Sequence, residues 1–312
     1  MTLWLAGEIK DPFPRRSAQL CQVSAQLLSK LTSAKAQQLH TNALVREGVA
    51  YAASGDWNKS LELNDRVIDR YRQSSDADVL ESVAWAMVNK GYDLSQLNRR
   101  DDAIAVYRDL AESIPIEEPF VDALSQGLMN WASDLSSMNR HAEEIGVYDR
   151  IEALIAKTSN LKLQSRRAWS IVNKGITLLE EERYAEANEF FEVVIRRWWE
   201  GMSLETPMAL HEALAASGRY RGRCMIMLGR FSDAVKAIEP IVNRYASAHD
   251  RGIDEEVAWA ALTKAFAEEK LGHIADAQRT CRFVERRYHR SQPEQASIAR
   301  RALERLSTRR AE

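Results

Sequence analysis

Three carboxamides recur in register along this 312-residue chain. Asn89 and Asn173 sit in the near-identical octamers "AWAMVNKG" (84–91) and "AWSIVNKG" (168–175), and Asn130 lies 41 residues after the first and 43 before the second. A carboxamide both donates and accepts hydrogen bonds, so a row of them can read a peptide backbone without regard to its side chains. Asn is a mediocre helix former, and repeated use at one helical site asks for such a task, or for a bond to a neighbouring helix or to water. Trp85 and Trp169 share a second register with Trp259, in the worn copy "AWAALTKA" (258–265). Indoles at such sites either anchor a partner or pack against the next helical unit, and packing is the plainer reading. "GRYRGR" (218–223) gathers Arg219, Tyr220, Arg221 and Arg223, while Arg46 takes the Asn site of an earlier copy. Guanidinium groups there could hold a carboxylate of a partner, although a solvated helix face explains them as well.

Other chemistry is not expected. The chain has no P-loop, no GxGxxG, no HExxH and no GxSxG. Its six histidines are scattered without ligand spacing, and Asp76 and Asp78 lack the rest of a calcium loop. Cys21, Cys224 and Cys281 form no CxxC pair, which suits a reducing cytosol and argues against a zinc site or a disulfide framework. No enzyme, metal or cofactor is therefore expected. A formal net charge of −2 gives no global attraction to nucleic acid or anionic membrane. No apolar run approaches the ~18 residues of a membrane helix, and the first residues do not read as a secretory signal. Ten arginines between Arg279 and Arg310 make the C-terminal region basic; a charged, solubilising end is expected, with a nucleic-acid footprint as the alternative.

The elements that position these residues follow from the repeat. Small anchors at Gly48, Gly91, Ala132, Gly175, Gly222 and Ala265 are separated by 43, 41, 43, 47 and 43 residues. Seven past each anchor stands a turn residue (Gly55, Asn98, Asn139, Glu182, Gly229, Gly272), and all but Glu182 tolerate a left-handed backbone. Twelve past comes a mostly small residue, sixteen past a mostly bulky one such as Tyr107 or Phe191, and nineteen past always an aliphatic one. Apolar spacing on both sides of the turn is helical, so each copy is a helix, a tight turn and a second helix.

"NKGYDLSQLNRRDDAIAVY" (89–107) and "NKGITLLEEERYAEANEFF" (173–191) resemble the tetratricopeptide repeat, over about residues 41–290. The period is longer than the roughly 34 residues usual for that family. Glu144 stands where a small residue belongs, Asn64 where an aromatic belongs, and Pro240 should kink or end its helix. The resemblance implies an all-α, right-handed superhelical solenoid of antiparallel helix pairs. The expected layout is a tail at 1–16, a lead helix at 17–40 with Leu20, Val23, Leu27 and Leu31 as its packing stripe, six hairpins at 41–290, and a basic capping helix at 291–312 opened by Ser291 and Glu294.

On each first helix the residues six before, two before and one after the anchor form a stripe turned away from the packed one. In the resembled family this stripe lines a concave groove, and the three Asn match its peptide-reading ladder. The candidate site is thus Arg46, Trp85, Asn89, Tyr92, Asn130, Ser133, Trp169, Asn173, Ile176, Arg219, Tyr220 and Arg223. A cytoplasmic adaptor holding a peptide or a partner protein is expected; a regulatory peptide sensor, a nucleic-acid-associated subunit and a self-associating scaffold are the alternatives.

Overall fold

The computed structural model describes residues 14–30, 33–203 and 205–308, and among them are fourteen α-helices and no strand. The chain divides into two compact units, Met1–Ala156 and Lys157–Glu312. The first unit holds α1 (Pro14–Leu28) and three hairpins: α2 (Ala34–Ala53) with α3 (Trp57–Tyr71), α4 (Ala77–Gln96) with α5 (Arg100–Ser113), and α6 (Val121–Ser137) with α7 (His141–Leu154). The second holds α8 (Leu161–Glu180) with α9 (Tyr184–Trp198), α10 (Met208–Met227) with α11 (Phe231–Tyr245), α12 (Arg251–Lys270) with α13 (Ile274–Tyr288), and a last helix α14 (Pro293–Thr308).

Small anchors face large residues across each hairpin. A Cβ placed on Gly91 would lie 2.3 Å from the Tyr107 ring, one on Gly175 2.7 Å from Phe191, and one on Gly222 2.3 Å from Ile238. Glycine there lets a buried ring or branched chain press directly on the opposing backbone. Gly48 is looser, with its nearest neighbours Ser60 and Asn64 at 3.5–3.6 Å.

The turns are one device used six times. Gly55, Asn98, Asn139, Glu182, Gly229 and Gly272 all have φ between 56° and 81°. The N–H of Asn98 bonds the Ser95 carbonyl at 2.9 Å and the N–H of Arg99 bonds the Leu94 carbonyl at 2.8 Å. This double closure recurs at every one of these turns, including Glu182 to Leu179 and Arg183 to Leu178, and it satisfies the last carbonyls of the first helix. Four of the next helices open on an arginine that reaches an acid three residues on: Arg99–Asp102, Arg140–Glu143, Arg183–Glu186 and Arg230–Asp233.

The long period comes from the first helices. α2, α4, α8, α10 and α12 have 20 residues and α6 has 17, against 14 or 15 in the second helices. Within each unit successive first helices pack on one another, whereas each second helix packs only on the first helices flanking it. The first helices therefore make the inner row of each unit.

Several expectations need correction. The lead helix is two helices: Ser33 caps a new one, its Oγ accepting from the Ala36 N–H at 3.3 Å, so α2 starts seven residues before the expected first hairpin. Leu20, Val23 and Leu27 do not pack; they are 71%, 54% and 71% exposed, because α1 meets α2 through Ala18 and Ala25, whose small side chains allow close approach. Leu31 lies outside the described residues, as does most of the expected tail, whose last residues 14–16 begin α1. α14 starts at Pro293, a residue suited to the first helical position, and not after Ser291. α11 runs through Pro240 to Tyr245, held by the buried Ile241, Val242 and Tyr245 beyond it. Trp198 is buried, and Arg244 covers Trp199, its guanidinium 4.5 Å from the ring.

Gly91→Ala should destabilise the chain by about 1–3 kcal/mol through overpacking against Tyr107, while Gly48→Ala should be neutral or gain up to about 1 kcal/mol from helix propensity. Paired denaturant titrations check the contrast, and equal losses at the two sites would refute it. Glu182→Gly should gain about 1 kcal/mol by removing a side chain from the left-handed region; an unchanged denaturation midpoint would contradict that.

Candidate functional site

The expected stripe lies on the inner row of each unit, with none of its twelve residues fully buried. In the first unit α2 carries Arg46, exposed and without an ion pair among the described residues. α4 carries Trp85, Asn89 and Tyr92, all half-buried. Trp85 packs against the unit's core, and Tyr92 meets Trp57 edge-on with ring centroids 6.0 Å apart. α6 carries Asn130, half-buried, and Ser133, exposed. The Asn130 Oδ1 accepts from Gln126 Nε2 at 3.0 Å, one turn earlier on the same helix. The Nδ2 groups of Asn89 and Asn130 are shielded from water; that of Asn89 has no hydrogen-bond partner among the described residues, while the Asn130 amide adjoins the buried Tyr107 hydroxyl and opposes the upward push of burial on it by hydrogen bonding.

In the second unit the stripe is more heavily engaged. On α8, Trp169 donates its Nε1–H to the Ala209 carbonyl at 2.9 Å and so ties α8 to α10. Asn173 and Ile176 are half-buried, and the Asn173 side chain makes no hydrogen bond among the described residues. On α10, Arg219 pairs with Glu256 at 3.0 Å and lies over both the Tyr220 and Trp259 rings, at 4.8 and 5.4 Å. Tyr220 stacks on Phe191 with centroids 5.6 Å apart, and burial pushes its phenol up, so it stays neutral. Burial also holds the Glu256 carboxyl above the usual carboxylate range, with Arg219 opposing. Arg221 pairs with Glu192 at 3.2 Å. Of this arginine cluster only Arg223 is exposed with no ion pair among the described residues.

A second polar system was not expected. Asp93, two past the anchor of α4, is 1% exposed and accepts from Ser60 Oγ at 2.6 Å and from Asn64 Nδ2 at 3.0 Å. Burial pushes its carboxyl up to about 7, with these two hydrogen bonds opposing. Asp134 holds the same place on α6; it accepts from Ser95 and lies 3.8 Å from the Arg100 guanidinium, and burial raises it also. Glu144 is likewise buried and satisfied, accepting from the Tyr148 hydroxyl at 3.2 Å. The signal was present: Asn64 and Glu144 are two of the departures from the repeat pattern, and the carboxylates sit where other copies have small residues. No group of three or more potential metal-ligating side chains occurs among the described residues, and no helix there is long and apolar enough to cross a membrane.

Neither family models nor curated proteins gave a match to the sequence. Solved structures did. The apo form of RapI superimposes with a TM-score of 0.66 at 13% identity, over 97% of this chain and 84% of that one. The fold is a tetratricopeptide-like array of helical hairpins. BtubC (BKLC) from P. vanneervenii gives a TM-score of 0.59 at 14% identity, over 73% of this chain and 89% of that one. Aspartyl phosphate phosphatase F from Bacillus subtilis gives 0.55 at 12% identity, over 96% and 85%. At such identities the tetratricopeptide-like likeness is one of architecture, and the hairpins, anchors and turns described above carry it.

The Asp93 carboxyl is raised in the folded chain from an ordinary value near 3.8 to about 7, so the folded state binds more protons than the unfolded one across that window and stability falls as pH rises through it. Asp93→Asn should remove this dependence. Thermal melts should show the variant gaining on the wild type from the lower to the upper end of the window, and a constant difference would disprove it.

Proposed function

We propose that this chain is a non-catalytic protein-interaction module that holds a peptide segment or partner protein against the inner row of first helices within a unit. The observation that carries the reading is the shared register of the amides, Asn89 and Asn130 in the first unit and Asn173 in the second, with the Asn89 Nδ2 and the Asn173 side chain making no hydrogen bond among the described residues. A buried polar group without a partner, such as the Asn89 Nδ2, is uncommon in folded chains, and a bound backbone would satisfy it. Modest side-chain rotation brings each amide to the surface of its helix, where peptide carbonyls and N–H groups could meet it.

The aromatic and cationic residues support a narrower role than the sequence suggested. Trp169, Arg219 and Tyr220 are occupied in packing and pairing, so they shape the face more than they grip a ligand. Arg46 and Arg223 remain the cations open to a partner carboxylate. The basic C-terminal region offers little support for nucleic acid, since Arg287, Arg300 and Arg305 each pair with an acid. A cytoplasmic setting agrees with three free cysteines, two of them buried.

Capture from native lysate, comparing wild type with Asn89, Asn130 and Asn173 all changed to Ala, tests the proposal once circular dichroism has confirmed intact helices. A partner held by the wild type should be lost or weakened at least tenfold, about 1.4 kcal/mol or more. Undiminished capture by the triple variant would refute the amide reading.

A further inference from the structure

The last helix of the second unit borders an open space. α14 follows α13 as a further first helix would, yet it meets α12 over a far shorter stretch than α10 does. Between α12 and α14 opens a cavity of about 470 Å³, within the range of pockets that take small ligands. α12 contributes Leu262 and Phe266, α14 contributes Ile298, Ala302 and Leu306, and Cys281 of α13 also lines it. Cys281 is buried, and burial pushes its thiol up to about 11, so the thiol is neutral. Phe266 remains 41% exposed, an apolar surface at the cavity wall.

The lining is not uniformly apolar. Glu269 and Arg305 both line the cavity and pair at 2.5 Å, which offsets one positive and one negative charge. Arg301 also lines it, is exposed, and has no ion pair among the described residues. Lys270 lies 5.3 Å from the centroid of the Phe266 ring and adds a second positive charge nearby. Apolar walls with a guanidinium left open ask for a ligand that is apolar along its length and anionic at one end. We propose that this cavity binds an amphiphilic carboxylate, an acyl chain lying along Leu262, Phe266, Ile298 and Leu306 with its carboxylate paired to Arg301. A carboxylate suits a single open guanidinium because the two can form a bidentate pair. Covering Phe266 and the aliphatic walls supplies the affinity, and Arg301 selects the head group. This site is independent of the amide stripe and stands whether or not that stripe holds a peptide.

Calorimetric titration of the full chain with sodium decanoate, and in parallel with decanol, tests the assignment. Decanoate should bind saturably with one site per chain, while decanol and the Arg301→Gln variant should each show affinity lower by about tenfold or more, as for loss of one charge-assisted hydrogen bond. Ala302→Phe and Ile298→Trp, which fill the cavity by different routes, should abolish binding while thermal melts show them folded. Absence of saturable decanoate binding to the wild type would overturn the proposal. So would undiminished binding by Arg301→Gln, a change at an exposed side chain, or by both cavity-filling variants.

Discussion

The rest of the fold depends on one contact, a glycine backbone pressed by the large side chain sixteen residues later. Where the anchor is Gly91, Gly175 or Gly222, even a methyl group would overlap Tyr107, Phe191 or Ile238. The approach is close because nothing intervenes, and it fixes how far apart the two helices of a hairpin can stand. The turn must then return the chain at that spacing. The six positive-φ residues do so with the same pair of closing hydrogen bonds, whatever the residue type. Glu182 shows the order of command: packing on either side imposes the left-handed backbone on a residue that does not favour it.

Where that contact relaxes, polar chemistry enters the core. Gly48 faces Ser60 and Asn64 and not a ring, and the space is taken by a hydrogen-bonded triplet with Asp93. The third hairpin admits Glu144 opposite an alanine anchor and satisfies it from Tyr148 and His141. These are exchanges of packing for hydrogen bonding at equivalent places in the repeat. At Asp93 the exchange carries a pH dependence that an apolar interlock lacks, since burial disfavours the charged carboxylate.

The hairpins were legible in the sequence because each rests on local offsets: anchor, turn, small residue, bulky residue. Those offsets are short-range, and helix geometry turns them directly into contacts. The ends were less legible for the opposite reason. Apolar spacing at Leu20, Val23 and Leu27 identifies a helix face but not whether another helix lies against it, and α1 settles through two alanines instead. The carboxylates at 93 and 134 were missed because each is stabilised by residues of other helices, Ser60, Asn64, Ser95 and Arg100, so no single stretch displays the network. For the candidate stripe, the register could be read from sequence, but the engagement of Trp169 and Arg219 could not, because their partners lie 40 and 37 residues on.

The same constraint bears on what the inner rows can bind. One stripe of each first helix is committed to its own hairpin, and direct packing between neighbouring first helices takes part of the other. Long side chains there are drawn into inter-helix bonds: Trp169 to Ala209, Arg219 to Glu256, Gln38 to Asp78 at 2.6 Å. A short amide at the same register reaches less far. Among the described residues Asn89 keeps an Nδ2 without a partner, and the Asn173 side chain makes no hydrogen bond. Reach therefore separates Trp169 and Arg219, which build the row, from the short amides, while Arg46 and Arg223 stay exposed. By that criterion the amides, and not the tryptophans, are where this surface has chemistry to spare.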